Sequence, residues 1–231
     1  MRIAVVANGE WDQEWGKREL AAYDRLIAVD GGGNHIVRAG FVPDALLGDL
    51  DSAEPETLEI CRQKGTVIVC YPAEKDETDL ELALEYAVKL MEQEERTVKA
   101  EKAGVQDRES QDVFLLGAMG GRIDHLLGNL FLLQGLLKRG VRIRMKGPGQ
   151  ELWLLEGLGK LTGKKGQKLS VIPITEKAVV RTEGLYYPLY DEILYRDSPR
   201  GISNVFLGED AIVDVSEGTA LIVVLSPDNR R

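Results

Sequence analysis

Apolar residues fall into six short runs over the first two thirds of the chain: Ile3 to Ala7, Leu26 to Val29, Ala45 to Leu47, Val67 to Val69, Val113 to Leu116 and Val141 to Met145. Segments with helical signals separate them, and this alternation predicts a parallel sheet with crossover helices. The clearest helix begins near Asp76, where Leu80, Ala83, Leu84, Ala87, Val88 and Met91 recur at three and four residues to form one stripe. Acidic residues lead it, as the helix dipole favours. A second predicted helix follows Asp124, with Leu126, Leu127, Leu130, Phe131, Leu133 and Leu137 turned inward and Lys138, Arg139 and Gly140 as its stop. Its near-continuous apolarity predicts deep burial. Between the two, residues 94–112 carry dense charge without apolar period, which predicts a solvated loop or helix extension.

After about residue 147 helical periodicity disappears and glycines punctuate short segments. KLSVIPI, AVVRTEG and AIVDVSEGTALIVVL alternate or cluster β-formers, the last reading as a hairpin around Glu217 and Gly218. The expected division is therefore an α/β domain over 1–147 and an antiparallel β domain over 148–231.

Composition narrows the function. With 231 residues, a net charge of −9 and a pI near 4.9, broad binding to nucleic acid or to an anionic membrane is disfavoured, because both require a positive face. Cys61 and Cys70, without metal-site spacing, favour a reduced protein over a disulfide scaffold. The N-terminus reads as a first strand rather than a signal peptide, and the longest apolar stretch, Ile123 to Leu137, is too interrupted to span a bilayer. A cytoplasmic location is expected.

In a parallel sheet, residues just beyond each strand face the ligand crevice. Here those segments are DGGGN, GDLDS, CYPAEKDETD and GAMGGRIDH. Beyond Asp30 at the head of DGGGN, they carry five aspartates, Asp49, Asp51, Asp76, Asp79 and Asp124. Two carboxylates ~5 Å apart at an effective dielectric of ~20 repel by roughly 3 kcal/mol, so a cation must sit among them if the fold gathers them. Mg²⁺ carrying a substrate phosphate is the economical choice. Extended backbone would point Asp49 and Asp51 the same way; the competing reading is a turn in which Asp51 or Ser52 caps a helix through Pro55. Asp76 and Asp79, three apart at a helix start, can face one ligand beside Lys75, with capping again the alternative. The glycine-rich turns let backbone N–H groups approach a phosphate, and Arg122 can grip one bidentately. Standard P-loop and dinucleotide fingerprints are absent. His35 and His125 are read as packing or hydrogen-bonding residues, and Trp11 and Trp15 as covering one helical face.

Taken in order, DGGGN, PDALLGDLDS, KDETDLELAL, GGRIDHLLGN and, much later, GISN resemble the thiamine pyrophosphokinase (thiamine diphosphokinase) family. The resemblance is dense over residues 28 to 130 and thinner beyond. It implies a Rossmann-like α/β catalytic domain that binds ATP and Mg²⁺, joined to a C-terminal antiparallel β-sandwich that binds thiamine in a homodimer. The implied reaction moves a pyrophosphoryl group from ATP to the thiamine hydroxyl and releases AMP. On this resemblance Asp49, Asp51 and Asp79 match metal positions, while Asp76 and Asp124 line the site and either accepts the hydroxyl proton. Gly32, Asn34, Lys75, Gly121 and Arg122 match nucleotide and phosphate contacts. Asp30, Ser203 and Asn204 match the thiamine side. The competing functions are a Mg²⁺-dependent phosphohydrolase and a non-catalytic nucleotide- or thiamine-binding regulator.

Overall fold

The computed structural model describes residues 1–101 and 113–226. The chain forms two compact units, Met1–Gly147 and Pro148–Arg231. Unit 1 alternates β1 (Ile3–Val6), α1 (Gln13–Leu20), β2 (Arg25–Val29), α2 (Gly32–Arg38), β3 (Ala45–Gly48), α3 (Pro55–Lys64), β4 (Val67–Cys70), α4 (Asp79–Glu101), β5 (Val113–Leu116), α5 (Ile123–Lys138) and β6 (Ile143–Gly147). Its strands lie in the order β6-β5-β1-β2-β3-β4, all parallel.

The continuous apolar runs of the inner strands follow from helices covering both faces; the polar positions Arg144 and Lys146 fall in β6, an edge strand of this unit. Ala4, Val6, Leu26, Ala28, Leu46, Phe114 and Leu116 meet Leu20 of α1, Ile36 of α2 and Cys61 of α3. The alternate residues, such as Val5, Ile27 and Leu47, are equally buried on the opposite face, where α4 crosses β1, β2 and β3 with Leu80, Ala83, Leu84 and Ala87 inward. The α4 stripe thus has the predicted partner. Helix α5 differs from expectation: Leu133 and Leu136 are buried, but Ile123, Leu127 and Phe131 are 75%, 48% and 61% exposed and share one outer stripe. One face packs on this unit and the other is apolar and exposed. Of the charged 94–112 segment, α4 takes in the part up to Glu101; the rest lies outside the described residues.

Unit 2 contains β7 (Gln150–Thr162), β8 (Lys168–Pro173), β9 (Lys177–Glu183), β10 (Glu192–Tyr195), β11 (Asn204–Val205) and β12 (Asp210–Leu225). The expected hairpin at Glu217 and Gly218 does not form. β12 runs straight through as one 16-residue strand, antiparallel to β7 along both halves. Its first half also pairs with β9 and its second with β8, so β12 leaves one layer and enters the other. The bend is a bulge: Val215 pairs with Gly157 and Ala220 with Leu155, leaving residues 216–219 opposite Glu156 alone. Gly218 at φ 79° and Gly157 at φ 70° take the left-handed backbone this requires, and Thr219 Oγ1 donates to Glu156 at 2.6 Å across the gap. A glycine between two apolar runs signals a reversal or a bulge, and the long partner β7 decides for the bulge. The two layers enclose a core that includes Leu155, Leu169, Val180, Leu194, Phe206, Val213 and Ile222.

Candidate active site

Strand order in unit 1 reverses at β1: the chain winds outward through β2, β3 and β4, then returns to the other side for β5 and β6. A reversal of this kind opens a crevice between loops that depart in opposite directions from the strand C-termini. A cavity of about 770 Å³ occupies it, lined by the loops after β1, β2 and β5 and by the first turns of α4 and α5.

Beside it the backbone gathers three carboxylates. Asp30, Asp49 and Asp51 each place an oxygen within 4.8 Å of the others. The arrangement needs unusual backbone, because Asp30 (φ 47°) and Leu50 (φ 66°) are both left-handed. A non-glycine residue costs on the order of 1 kcal/mol in that conformation. The extended backbone that would have pointed both acids one way is therefore replaced by a kink, in which Leu50 packs against the core beneath while its two acidic neighbours project from the edge. Local bonds fix them: Ser52 N donates to Asp30 at 3.2 Å, Ser52 Oγ to Asp51 at 2.8 Å and Asp51 N to Asp49 at 3.3 Å. The capping alternative is not realised. The residue that starts α3 is Glu54, with no side-chain cap bond, so Asp51 is not held there by helix chemistry.

In KDETD the helix begins at Asp79, later than expected, and Thr78 rather than Asp76 caps it, its hydroxyl accepting from Glu81 N at 3.2 Å. Asp79 lines the cavity and pairs with Lys75 at 3.0 Å, while Lys75 also donates to the Pro72 carbonyl at 3.0 Å. The Asp79 bond, reinforced by the charges of Asp79 and Asp49, outweighs burial and holds the Lys75 ammonium above its ordinary pKa. Asp76 is exposed and does not line the cavity.

In GGRID, Gly120 (φ 95°) and Gly121 (φ 66°) turn the chain into α5. Arg122 grips Asp124 bidentately, Nε at 3.1 Å and the terminal nitrogen at 2.5 Å, and this bond holds the Asp124 carboxyl down at about 2. All three residues of Gly121-Arg122 and Asp124 line the cavity. Across it, the Glu10 carboxylate accepts the Gly121 N–H at 3.0 Å.

The glycines of DGGGN have a different cause from the one expected. A Cβ on Gly32 would collide with the Val6 carbonyl and one on Gly31 with the Asn8 side chain, so α2 can start against the end of β1 only with glycine there. Asn34 is buried, donating to the Ser52 carbonyl and accepting from Glu54 N, both at 3.0 Å. It braces the stretch that follows Asp51. His35 donates from Nε2 to the Gly9 carbonyl at 3.2 Å and stacks on Trp11 at 4.9 Å, and burial lowers its pKa. Trp11 precedes the cap of α1, so it and Trp15 do not share a helical face; they meet edge to face at 5.4 Å.

Unit 2 holds the remaining predicted pair. Ser203 is left-handed (φ 61°) and its N–H donates to Ser170 Oγ at 3.1 Å. The buried Asn204 accepts from Tyr187 N at 3.0 Å and Val205 N at 2.8 Å and donates to the Tyr187 carbonyl at 2.6 Å. Its amide organises a turn that presents Tyr186 and Tyr187, both 62% exposed.

Two participants escaped the sequence reading: Glu10, and Asp30 as a partner of Asp49 and Asp51. The rule that residues beyond a strand face the crevice pointed to Asp30, which follows β2 directly. The same rule covers Glu10, four residues beyond β1, but its loop is not among the four segments DGGGN, GDLDS, CYPAEKDETD and GAMGGRIDH.

The family model described as "Thiamin pyrophosphokinase, catalytic domain" matches residues 17–145, and "Thiamin pyrophosphokinase, vitamin B1 binding domain" matches 160–221. The thiamine pyrophosphokinase of Bacillus subtilis is 28% identical over 206 residues, 87% of each chain. The solved thiamin pyrophosphokinase of Geobacillus thermodenitrificans superposes with a TM-score of 0.78 at 28% identity over 99% of each chain. That of Bacillus subtilis gives 0.79 at 22% identity, covering 99% of this chain and 100% of its own.

Proposed function

We propose that this chain, which belongs to the thiamin pyrophosphokinase family, transfers the pyrophosphoryl group of ATP to the hydroxyl of thiamine, giving thiamine diphosphate and AMP. The observation that carries the site assignment is the convergence of Asp30, Asp49 and Asp51 beside a cavity that also presents Gly121 and Arg122.

An all-oxygen set of three carboxylates fits Mg²⁺, and Asp30, Asp49 and Asp51 would hold it. When bound, Mg²⁺ supplies charge neutralisation to phosphate oxygens. Asp79, committed to Lys75, positions that ammonium for the phosphates rather than completing the trio. Arg122 exchanges Asp124 for phosphate, and the Gly121 N–H adds a neutral donor.

Release of Arg122 also prepares a base. While paired, Asp124 titrates near 2 and accepts protons poorly. Once Arg122 turns to phosphate, its carboxylate recovers basicity beside the reacting hydroxyl, which favours Asp124 over the exposed Asp76 as proton acceptor. Positioning carries most of the acceleration, because the donor and acceptor oxygens must be brought in line.

On the thiamine side, Asn204 acts through the Tyr186–Tyr187 turn, and an exposed tyrosine supplies the apolar surface for the pyrimidine ring. A homodimer belongs to the same proposal. It is supported by exposed Tyr186, Tyr187, Tyr190, Ile193, Tyr195 and Ile202 on unit 2 and by the outer stripe of α5. Among the described residues no helix is long and apolar enough to cross a membrane; a cytoplasmic location is part of the same proposal.

Incubation of the purified protein with ATP, Mg²⁺ and thiamine tests the activity by mass spectrometry. Equal amounts of AMP and thiamine diphosphate are expected. ADP with thiamine monophosphate, or ATP turnover that ignores thiamine, would overturn the assignment.

A further inference from the structure

We infer that Glu10 is a built-in anion: its carboxylate occupies the phosphate cradle formed at Gly120 and Gly121 and must leave before a nucleotide phosphate can enter. This rests on the reading of Gly121 and Arg122 as phosphate contacts.

The geometry begins with how closely two loops approach. Beyond β1 and β5 the backbones stay zipped together, Ala7 N donating to the Leu116 carbonyl at 2.9 Å and Gly9 N to the Gly117 carbonyl at 2.8 Å. A Cβ on Gly9 would collide with the Gly117 carbonyl, and one on Gly117 with the Ala7 carbonyl, so only glycine permits the approach. The zipper delivers the next residue, Glu10, onto the Gly120–Gly121 turn. Its Oε1 accepts from Gly121 N at 3.0 Å, while Oε2 stands where a Cβ on Gly120 would be. The carboxylate therefore lies over both glycines, bonded to the second. On the other side of the loop, the His35 bond to the Gly9 carbonyl fixes the residue before it.

A backbone N–H at a left-handed turn is an anion donor, and here a protein carboxylate already holds it. A phosphate oxygen on the same N–H would meet Glu10 at contact distance. Two anions do not share one donor without strong repulsion. The consequence is selection by displacement. Lone inorganic anions gain too little from one N–H to expel the carboxylate. A nucleotide that also reaches Arg122 and Lys75 and brings its own metal does gain enough.

The test uses the full chain and two probes, inorganic pyrophosphate without metal and Mg²⁺-ATP, titrated calorimetrically against wild type, Glu10→Gln and Glu10→Asp. Glu10→Gln is expected to bind pyrophosphate about tenfold or more tightly than wild type, with a smaller gain for Mg²⁺-ATP. Glu10→Asp keeps the charge but shortens the reach, and an intermediate gain is expected. If both variants bind pyrophosphate no better than wild type, or more weakly, Glu10 is a bystander or a direct nucleotide contact and the inference fails. These titrations need no turnover. A tightened Glu10→Gln alongside a wild type inert toward thiamine would overturn the proposed reaction while upholding the displacement.

Discussion

Replacing Asp51 by Asn separates a metal site from a structural turn, because the two roles predict opposite changes in stability. Asp51, Asp49 and Asp30 hold oxygens within 4.8 Å of one another. At that distance a pair of charges repels by about 0.9 kcal/mol in water and about 3.5 kcal/mol at an effective dielectric of 20. Asp51 is exposed and its partners half-buried, so the aqueous figure is the closer one. Asn removes two of the three repulsive pairs, a relief of about 2 kcal/mol. It is nearly isosteric, and its carbonyl can still accept from Ser52 Oγ, now 2.8 Å from Asp51. In EDTA the variant is therefore expected to melt at the wild-type temperature or up to about 8 °C higher, at roughly 2 to 4 °C per kcal/mol for this size.

Addition of Mg²⁺ reverses the order. A ligand at 100 times its Kd stabilises by about 2.7 kcal/mol, and a tenfold weaker site at the same concentration by about 1.4 kcal/mol. The Mg²⁺-induced rise in melting temperature should then fall to about half or less in Asp51→Asn, with turnover down by about 10- to 100-fold. The assay is a thermal melt at matched ionic strength with EDTA or Mg²⁺, beside the product assay. A variant that melts lower in EDTA yet keeps the full Mg²⁺ response would show that Asp51 supports a turn and that the electrostatic reasoning is wrong.

Three further outcomes follow from single contacts. Gly32→Ala forces a Cβ into the Val6 carbonyl and should cost about 2 to 4 kcal/mol in urea unfolding; a loss under about 1 kcal/mol would show the start of α2 to be adaptable. Burial depresses the His35 pKa from its ordinary 6.5, so the unfolded chain takes the proton first, and stability is complete above about 6.5 and lost as pH falls toward the folded value. Melts from pH 7.5 to 5 should fall less steeply for His35→Gln than for wild type, and parallel curves would refute this. Arg122→Ala should return the Asp124 carboxyl from about 2 toward its ordinary 3.8 in an NMR titration, and no movement would mean that something other than the guanidinium holds it down.

What the sequence made legible was the arrangement governed by short-range rules. The six apolar runs became six parallel strands, of which the runs in β1, β2, β3 and β5 are unbroken because both their faces are buried, and the stripe from Leu80 to Ala87 turned inward to cover one of those faces. The acids appeared at strand ends because that edge is where polar side chains can stand. What stayed hidden depended on partners distant in the chain. Whether Glu217 and Gly218 reverse the strand or bulge it is decided by β7, some sixty residues earlier. Whether α5 is buried all round depends on what its outer stripe meets, and periodicity cannot say that it has two faces to satisfy. The glycines show the limit most sharply. Gly32 and Gly121 look alike in the sequence, yet one is required by a carbonyl of β1 and the other presents its N–H to a carboxylate. The same residue type answers steric crowding in one loop and anion chemistry in the next, and only the neighbour across the crevice distinguishes them. For Gly121 that neighbour is Glu10, 111 residues away in sequence, so the chemistry of the turn is a property of the fold and not of either loop.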